Sequence, residues 1–105
     1  MQTKSFEEIE KQVIQYFLEK DAPVHLRGFK YVTYIITNRL MNGWAEKNIM
    51  LEYSKTGKHF GASESKVERC IRHFIEKSNE NQKNTEYLGK LFYLLKVEEV
   101  EEQEE

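Results

Sequence analysis

The side chains best suited to chemistry lie between Glu64 and Lys77, where basic, acidic and apolar residues alternate. Arg69 can donate two hydrogen bonds to the O6 and N7 atoms of a guanine, and Glu68 can accept one from a cytosine amino group. Lys66 can reach either a base or a phosphate. Four more side chains are of types that bind phosphate oxygens: Ser63, Ser65, Arg72 and His73. These residue types predict recognition of a nucleic acid.

Such side chains need a helix that is anchored on one side and exposed on the other. The segment supplies its own anchor, because its apolar residues recur at the i, i+3, i+4, i+7 and i+8 spacing of one helical stripe. The stripe consists of Val67, Cys70, Ile71, Phe74 and Ile75. A short segment at 55–60 and a turn at 61–63 precede it. A helix, a turn containing glycine and a longer helix form a helix-turn-helix, whose second helix enters the major groove of DNA.

The turn has the residues that this arrangement requires. Gly57 lies where the first helix must approach the second, and Gly61 can adopt the positive φ of a helix end. Ser63 is a good N-cap, although Lys66 at the N3 position excludes a capping box. Thr56 fits less well, because an aliphatic side chain would be expected at that buried position.

Several of these residues also have simpler interpretations. Glu68 and Arg72 are spaced i, i+4 and could form an ion pair that only stabilises an exposed helix. We interpret His25 and Arg27 as structural, and His59 as a solvated residue at a helix end.

Length and composition restrict the class of protein. The chain has 105 residues, enough for one domain with one core. It has no transmembrane-length apolar run and no signal peptide. Its single cysteine, Cys70, lies on the apolar stripe, which favours packing over reactivity. The three histidines lack metal-ligand spacing, and no phosphate-binding loop or nucleophile motif is present. We expect a cytoplasmic protein that is not an enzyme and needs no cofactor.

The net charge of −2 is unevenly distributed along the chain. Six of the 18 acidic residues lie within 98–105, so 1–97 carries four more basic than acidic residues. A Glu-rich end is typical of a solvated, disordered segment. We therefore predict a DNA-binding domain at 1–97 and a disordered acidic tail at 98–105. The tail could also bind a partner protein, or occupy the basic helix in place of phosphates.

The remaining segments predict helices and no sheet. Ser5 and Glu8 fit a capping box at the start of a helix over 6–20. A second helix starts near Gly28 and ends at Asn42 and Gly43; its β-branched run also fits a strand, but its apolar residues recur at helical spacing. A short helix is predicted over 44–52, with the core candidates Trp44, Ile49, Met50 and Leu51. A wing-like surface loop follows over 78–84, and Thr85 caps a last helix. The predicted fold is an all-α bundle of about six helices that contains a helix-turn-helix.

Two motifs resemble a known family. SKVERCIRHFIE, at 65–76, is similar to the SRVERAIRHAIE segment of the DNA-binding effector domain of stage 0 sporulation protein A, the sporulation response regulator. HLRGFKYV, at 25–32, is similar to HIKGYLYL of that domain, at nearly the same distance from the other motif. The resemblance extends over 24–92, where Leu91 and Phe92 match a later Leu-Phe pair.

The resemblance implies a sequence-specific transcription regulator that binds double-stranded DNA, with homodimers on tandem sites. It assigns base reading to Lys66, Glu68 and Arg69, and a TGTCGAA-type box as the target. Lys66 replaces an arginine of the family motif and lacks its planar, two-donor fork, so we expect the preferred box to shift or loosen. The family's phosphorylated receiver domain has no counterpart in 1–20, so we expect either a fragment or a free-standing relative. Met1 and the acidic end favour the free-standing relative.

A second hypothesis remains open. The same fold could serve as a protein-interaction or antagonist module that uses the acidic tail and binds little DNA.

Overall fold

The computed structural model describes residues 4–44 and 48–104 and contains no strand in these ranges. Five helices make up the fold: α1 (Phe6–Glu19), α2 (Arg27–Asn42), α3 (Ile49–Phe60), α4 (Glu64–Lys77) and α5 (Asn84–Glu104). The predicted all-α class is confirmed, but the chain has five helices in the described ranges where about six were expected.

Helix α1 begins with the predicted capping box. The Ser5 hydroxyl accepts a hydrogen bond from the Glu8 main-chain amide, and the Glu8 carboxylate accepts one from the Ser5 amide, both at 3.2 Å. These bonds satisfy two amides that the helix itself leaves without partners. The buried face of α1 consists of Ile9, Val13 and Phe17.

Helix α2 forms in spite of its β-branched residues. Val32, Ile35 and Ile36 are buried on one side and pack into the core, so tertiary burial outweighs the modest helix propensity of these residues. The helix ends as expected at Gly43, whose φ of 70° is left-handed. Because α2 packs against each of the other four helices, it forms the centre of the fold.

In the part of the chain that the structure describes, the predicted 44–52 helix is not a separate element. Residues 49–60 form one continuous helix, α3, which merges part of the predicted 44–52 helix with the first helix of the predicted motif. The helix starts at Ile49 because the Asn48 side chain accepts hydrogen bonds from the amides of Met50 and Leu51. Met50 and Leu51 are exposed, so their prediction as core residues was wrong; residues 45–47 lie outside the described part of the chain.

Helix α5 begins one residue before the predicted cap, Thr85, and continues to Glu104. The backbone at 98–104 belongs to this helix. Glutamate has a high helix propensity, and like-charge pairs on an exposed helix cost only tenths of a kcal/mol each, about 0.2–0.5. The division between a domain at 1–97 and a tail remains a prediction.

An aromatic cluster holds α4 against α1 and α2. The ring of Phe17 lies 5.6 Å from that of Phe74 and 5.7 Å from that of Phe29, both in edge-to-face geometry. Each edge-to-face pair contributes about 0.5–1.5 kcal/mol beyond the burial of its area. The cluster therefore sets the position of α4 relative to the two helices behind it.

Candidate nucleic-acid interface

Helix α4 buries one stripe and exposes the rest of its surface. Val67, Ile71, Phe74 and Ile75 are buried as predicted, and Cys70 is half-buried. The opposite surface carries polar and charged side chains that are exposed or half-buried: Glu64, Ser65, Lys66, Glu68, Arg69, Arg72 and His73. A helix held in this way can present its polar side chains to a ligand without moving on the core.

The connection between α3 and α4 has the predicted glycine geometry. Gly61 has a φ of 72°, and its main-chain amide donates to the Gly57 carbonyl oxygen. The Ala62 amide donates to the same oxygen at 2.8 Å. A Cβ added at Gly57 would collide with the Ala62 carbonyl oxygen. The close approach at Gly57 is thus to the turn rather than to the body of α4.

Two hydroxyl groups complete this connection. The Ser63 hydroxyl caps α4 by accepting a hydrogen bond from the Lys66 amide at 3.1 Å. The Thr56 hydroxyl, which is fully buried, donates to the Glu52 carbonyl oxygen at 2.7 Å. Threonine is therefore tolerated at a position where an aliphatic residue was expected, because its polar atom has a partner inside its own helix.

A basic groove runs between α4 and the start of α2. It has a volume of about 630 Å³. Four of the predicted site residues line it: Lys66, Arg69, Arg72 and His73. The start of α2 forms the other wall, with Leu26, Arg27 and Gly28. The structure therefore brings together four of the seven predicted residues, while Ser63, Ser65 and Glu68 lie outside the groove.

Glu68 and Arg72 form the ion pair that their spacing suggested. The Arg72 guanidinium donates to the Glu68 carboxylate at 3.1 Å, with side chains 55% and 36% exposed. Exposed pairs of this kind contribute about 0.3–0.5 kcal/mol. A phosphate or a base can therefore compete for either side chain at little cost.

Asn84, which was predicted to lie in a surface loop, supports α4 from behind. Its side-chain amide donates to the Glu68 carbonyl oxygen at 3.1 Å and to the Tyr53 hydroxyl at 3.0 Å. Burial raises the pKa of the Tyr53 hydroxyl, so this group stays neutral at physiological pH. No local pattern around Asn84 indicates these contacts, because its partners lie on other helices.

A second cleft, of about 250 Å³, lies between α2 and α3 beside a buried ion pair. Arg39 donates to both carboxylate oxygens of Glu52, from Nε at 2.8 Å and from Nη2 at 2.6 Å. Its guanidinium also stacks 4.1 Å above the Trp44 ring. This pair fixes α3, and with it the turn that leads into α4, against the central helix.

Within residues 4–44 and 48–104, three features bear on other functions. Among the described side chains, those of 4–44 and 48–97, no group of three or more His, Cys, Asp or Glu is placed to hold a metal ion. In the same ranges no helix is long and apolar enough to span a bilayer. Cys70 is a free thiol, half-buried beside the basic groove.

Comparison with known protein families identifies the family to which the chain belongs. The family described as sporulation initiation factor Spo0A C terminal matches residues 13–104, which include both motifs and all of α2 to α5. No curated protein and no solved structure matches the chain. The match confirms the resemblance drawn from the two motifs. The matched family comprises DNA-binding effector domains of a sporulation regulator and is not a family of enzymes.

Proposed function

The chain belongs to the Spo0A C-terminal family, and on this premise we propose that it is a sequence-specific regulator of transcription that binds double-stranded DNA. In this proposal α3, the turn 61–63 and α4 act as a helix-turn-helix, and α4 enters the major groove. The groove of B-form DNA admits one α-helix, whose N-terminal residues reach the base edges.

Base reading falls to Lys66, Glu68 and Arg69. All three lie in the first half of α4, and Arg69 is exposed. Arg69 can donate two hydrogen bonds to a guanine, while Glu68 can accept one from a cytosine amino group once it leaves Arg72. Lys66 can donate to a guanine, although as a single point charge rather than a planar fork.

Phosphate contacts fall to Ser63, Ser65, Arg72 and His73. Ser63 and Ser65 lie at the positive end of the α4 dipole, which favours a phosphate. Arg72 and His73 lie about two turns further along α4 than Ser65, where the strands that border the major groove would pass. Together these contacts would set the register of α4 on the duplex.

One observation carries this proposal. The apolar stripe of α4 is buried where the helix packs against α2, α3 and α5, with Phe74 also contacting Phe17 of α1, and the exposed side presents basic side chains beside the basic groove. Four arginine and lysine side chains line this groove against one glutamate, an excess of positive charge that a helix serving only as scaffold would not need. This excess of positive charge is local to the groove, because the whole chain has a formal net charge of −2.

The proposal is tested by fluorescence anisotropy with a labelled duplex that carries a TGTCGAA-type box. A scrambled duplex of the same length and composition is the control, and both are titrated over a series of salt concentrations. We expect the box to bind about a thousandfold or more tightly than the scrambled duplex, with a clear salt slope. Weak and equal binding to both, followed by failure of randomised-site selection to find any preferred sequence, would contradict the proposal.

A second candidate function is a protein-interaction module. It is favoured by the outer side of α5, where Tyr93 and Val97 are 57% and 56% exposed just before the Glu-rich end. A large apolar side chain next to acidic residues would suit a partner with a basic rim around an apolar patch. In this case DNA binding would be weak at physiological salt, and removal of 98–105 would abolish capture of the partner.

Homodimers on tandem sites remain a separate prediction, which analytical ultracentrifugation on a two-box duplex would test.

A further inference from the structure

The start of α2 is fixed against the middle of α4 by a glycine contact. A Cβ at Gly28 would collide with the Cys70 carbonyl oxygen, and it would lie 2.7 Å from the Cβ of Phe74. Only glycine permits this approach without moving one of the two helices. The first turn of α2 therefore has a set position beside α4, and so does the backbone of its neighbour, Arg27.

Arg27 faces the same groove as the α4 side chains. It is exposed, and it forms one wall of the groove while Lys66, Arg69 and His73 lie on the other. Glu76 also lines the groove. Within the described ranges Arg27 forms no ion pair. Its guanidinium is thus available in a cleft whose other basic groups stand opposite it.

The main chain of α2 adds positive potential at this point. Arg27 is the first residue of α2, and the N-cap, Leu26, has no side-chain acceptor for the amides of the first turn. Such an end carries roughly half a positive charge. A phosphate in the groove would therefore meet the helix end and Arg27 together with Arg72 and His73, the two phosphate-binding candidates of α4 that line the groove.

We infer that Arg27 belongs to the DNA interface and that the groove between α2 and α4 receives a phosphate of the DNA backbone. This inference rests on the proposed function. A phosphate is favoured over a base because Arg27 lies on a different helix, to the side of α4, where the strand bordering the major groove passes. Base edges are reached by side chains that project from the inserted helix itself.

The test compares Arg27→Ala with Lys30→Ala in the anisotropy assay with the box and the scrambled duplex. Lys30 is a matched control: it is exposed on the first half of the same helix, carries the same charge and lies outside the groove, over the rings of Tyr31 and Phe60. We expect Arg27→Ala to weaken binding to both duplexes by about tenfold at low salt. The salt slope should fall by about 0.9, the value for one phosphate contact. Lys30→Ala should leave the slope unchanged.

Each alternative result separates the inference from the function on which it rests. If the wild-type chain prefers the box but Arg27→Ala behaves like Lys30→Ala, the groove is no phosphate site and the regulator proposal stands. Loss confined to the box would overturn the inference by showing that Arg27 reads bases. Absence of DNA binding by the wild-type chain would overturn both. Because Arg27 and Lys30 are both exposed, circular dichroism should show that both variants are folded at the assay temperature.

Discussion

Asn84, the first residue of α5, donates its side-chain amide to the main-chain carbonyl oxygen of Glu68 in the middle of α4, at 3.1 Å. The same amide group donates to the hydroxyl of Tyr53 on α3, at 3.0 Å. One side chain thus joins three helices directly behind a predicted base-reading residue. The position of α4 relative to α3 depends on this amide as well as on the turn between the two helices.

Replacement of Asn84 by alanine should therefore destabilise the fold. Tyr53 is only 3% exposed, so its hydroxyl would lose a partner in a place that water reaches poorly. We expect a loss of about 1–2 kcal/mol in the free energy of unfolding, measured by urea denaturation. Tyr53→Phe should cost less than Asn84→Ala, because it leaves the bond to Glu68 in place. If Asn84→Ala proved as stable as the wild type, the amide would have no role in positioning α4.

The buried ion pair between Arg39 and Glu52 predicts a strong asymmetry between single and double substitutions. Their side chains are 3% and 12% exposed, so Glu52→Leu alone would leave an unpaired guanidinium in the core. We expect that variant to lose about 3–5 kcal/mol in the free energy of unfolding. The double variant Arg39→Met with Glu52→Leu should recover most of this loss, because an apolar pair needs no compensation. Chemical denaturation of the two variants measures the difference. Equal losses would show that the charge itself is unimportant and that only packing matters.

The local elements of this fold could be predicted because each depends on residues close together in the chain. The stripe of α4, the left-handed Gly61, the Ser63 cap and the capping box at Ser5 all follow from patterns a few residues long. The helix count differed because the Asn48 cap starts α3 within the segment predicted as a separate short helix.

The contacts that support the site could not be predicted in this way. Arg39 and Glu52 are 13 residues apart, and Asn84 lies 16 residues from Glu68 and 31 from Tyr53. No periodicity links residues at such separations. Arg27 was interpreted as structural for the same reason, since only the packing of Gly28 on α4 places it in the groove.

Two glycines at the turn should respond differently to alanine. At Gly61 no atom lies near the added Cβ, so Gly61→Ala costs only the left-handed backbone conformation, about 1–2 kcal/mol. At Gly57 the Cβ would collide with the Ala62 carbonyl oxygen, and the turn must open. We expect Gly57→Ala to cost about 3 kcal/mol and also to lower the preference for the box, because α4 moves. Urea denaturation and anisotropy measure the two effects. A smaller cost at Gly57 than at Gly61 would contradict the close approach.

The capping box predicts a stability contribution that depends on pH. Hydrogen bonds from the Ser5 amide and hydroxyl hold the pKa of Glu8 below its ordinary value of 4.5. A carboxyl whose folded pKa is lowered stabilises the fold above its unfolded pKa, and the effect is lost as pH falls through the folded pKa. Wild type should therefore melt at a higher temperature than Glu8→Gln at pH 7, and the difference should shrink below about pH 4.5. A difference that stays constant down to pH 2.5 would mean that the carboxylate charge plays no part.

Arg69 and Arg72 form a matched pair, because the proposal predicts different effects on sequence preference when each is replaced by alanine. Both are exposed arginines in the same groove, three residues apart on α4. Arg69→Ala should remove one two-donor contact to a guanine, which costs about 1–3 kcal/mol on the box. Arg72→Ala should weaken the box and the scrambled duplex alike and reduce the salt slope by about 1.

Arg72 also pairs with Glu68, so Arg72→Ala frees the Glu68 carboxylate. Glu68→Gln, which removes the charge of that carboxylate, is the control for this effect. If Glu68 reads a cytosine, Glu68→Gln should reduce the preference for the box while Arg72→Ala leaves it intact. The measurement is the ratio of dissociation constants for the two duplexes, which removes any general loss of charge. Arg69→Ala that weakened both duplexes equally would move Arg69 from the base-reading set to the phosphate set. In that event, sequence preference would have to come from Lys66 and Glu68, or from the shape of the DNA.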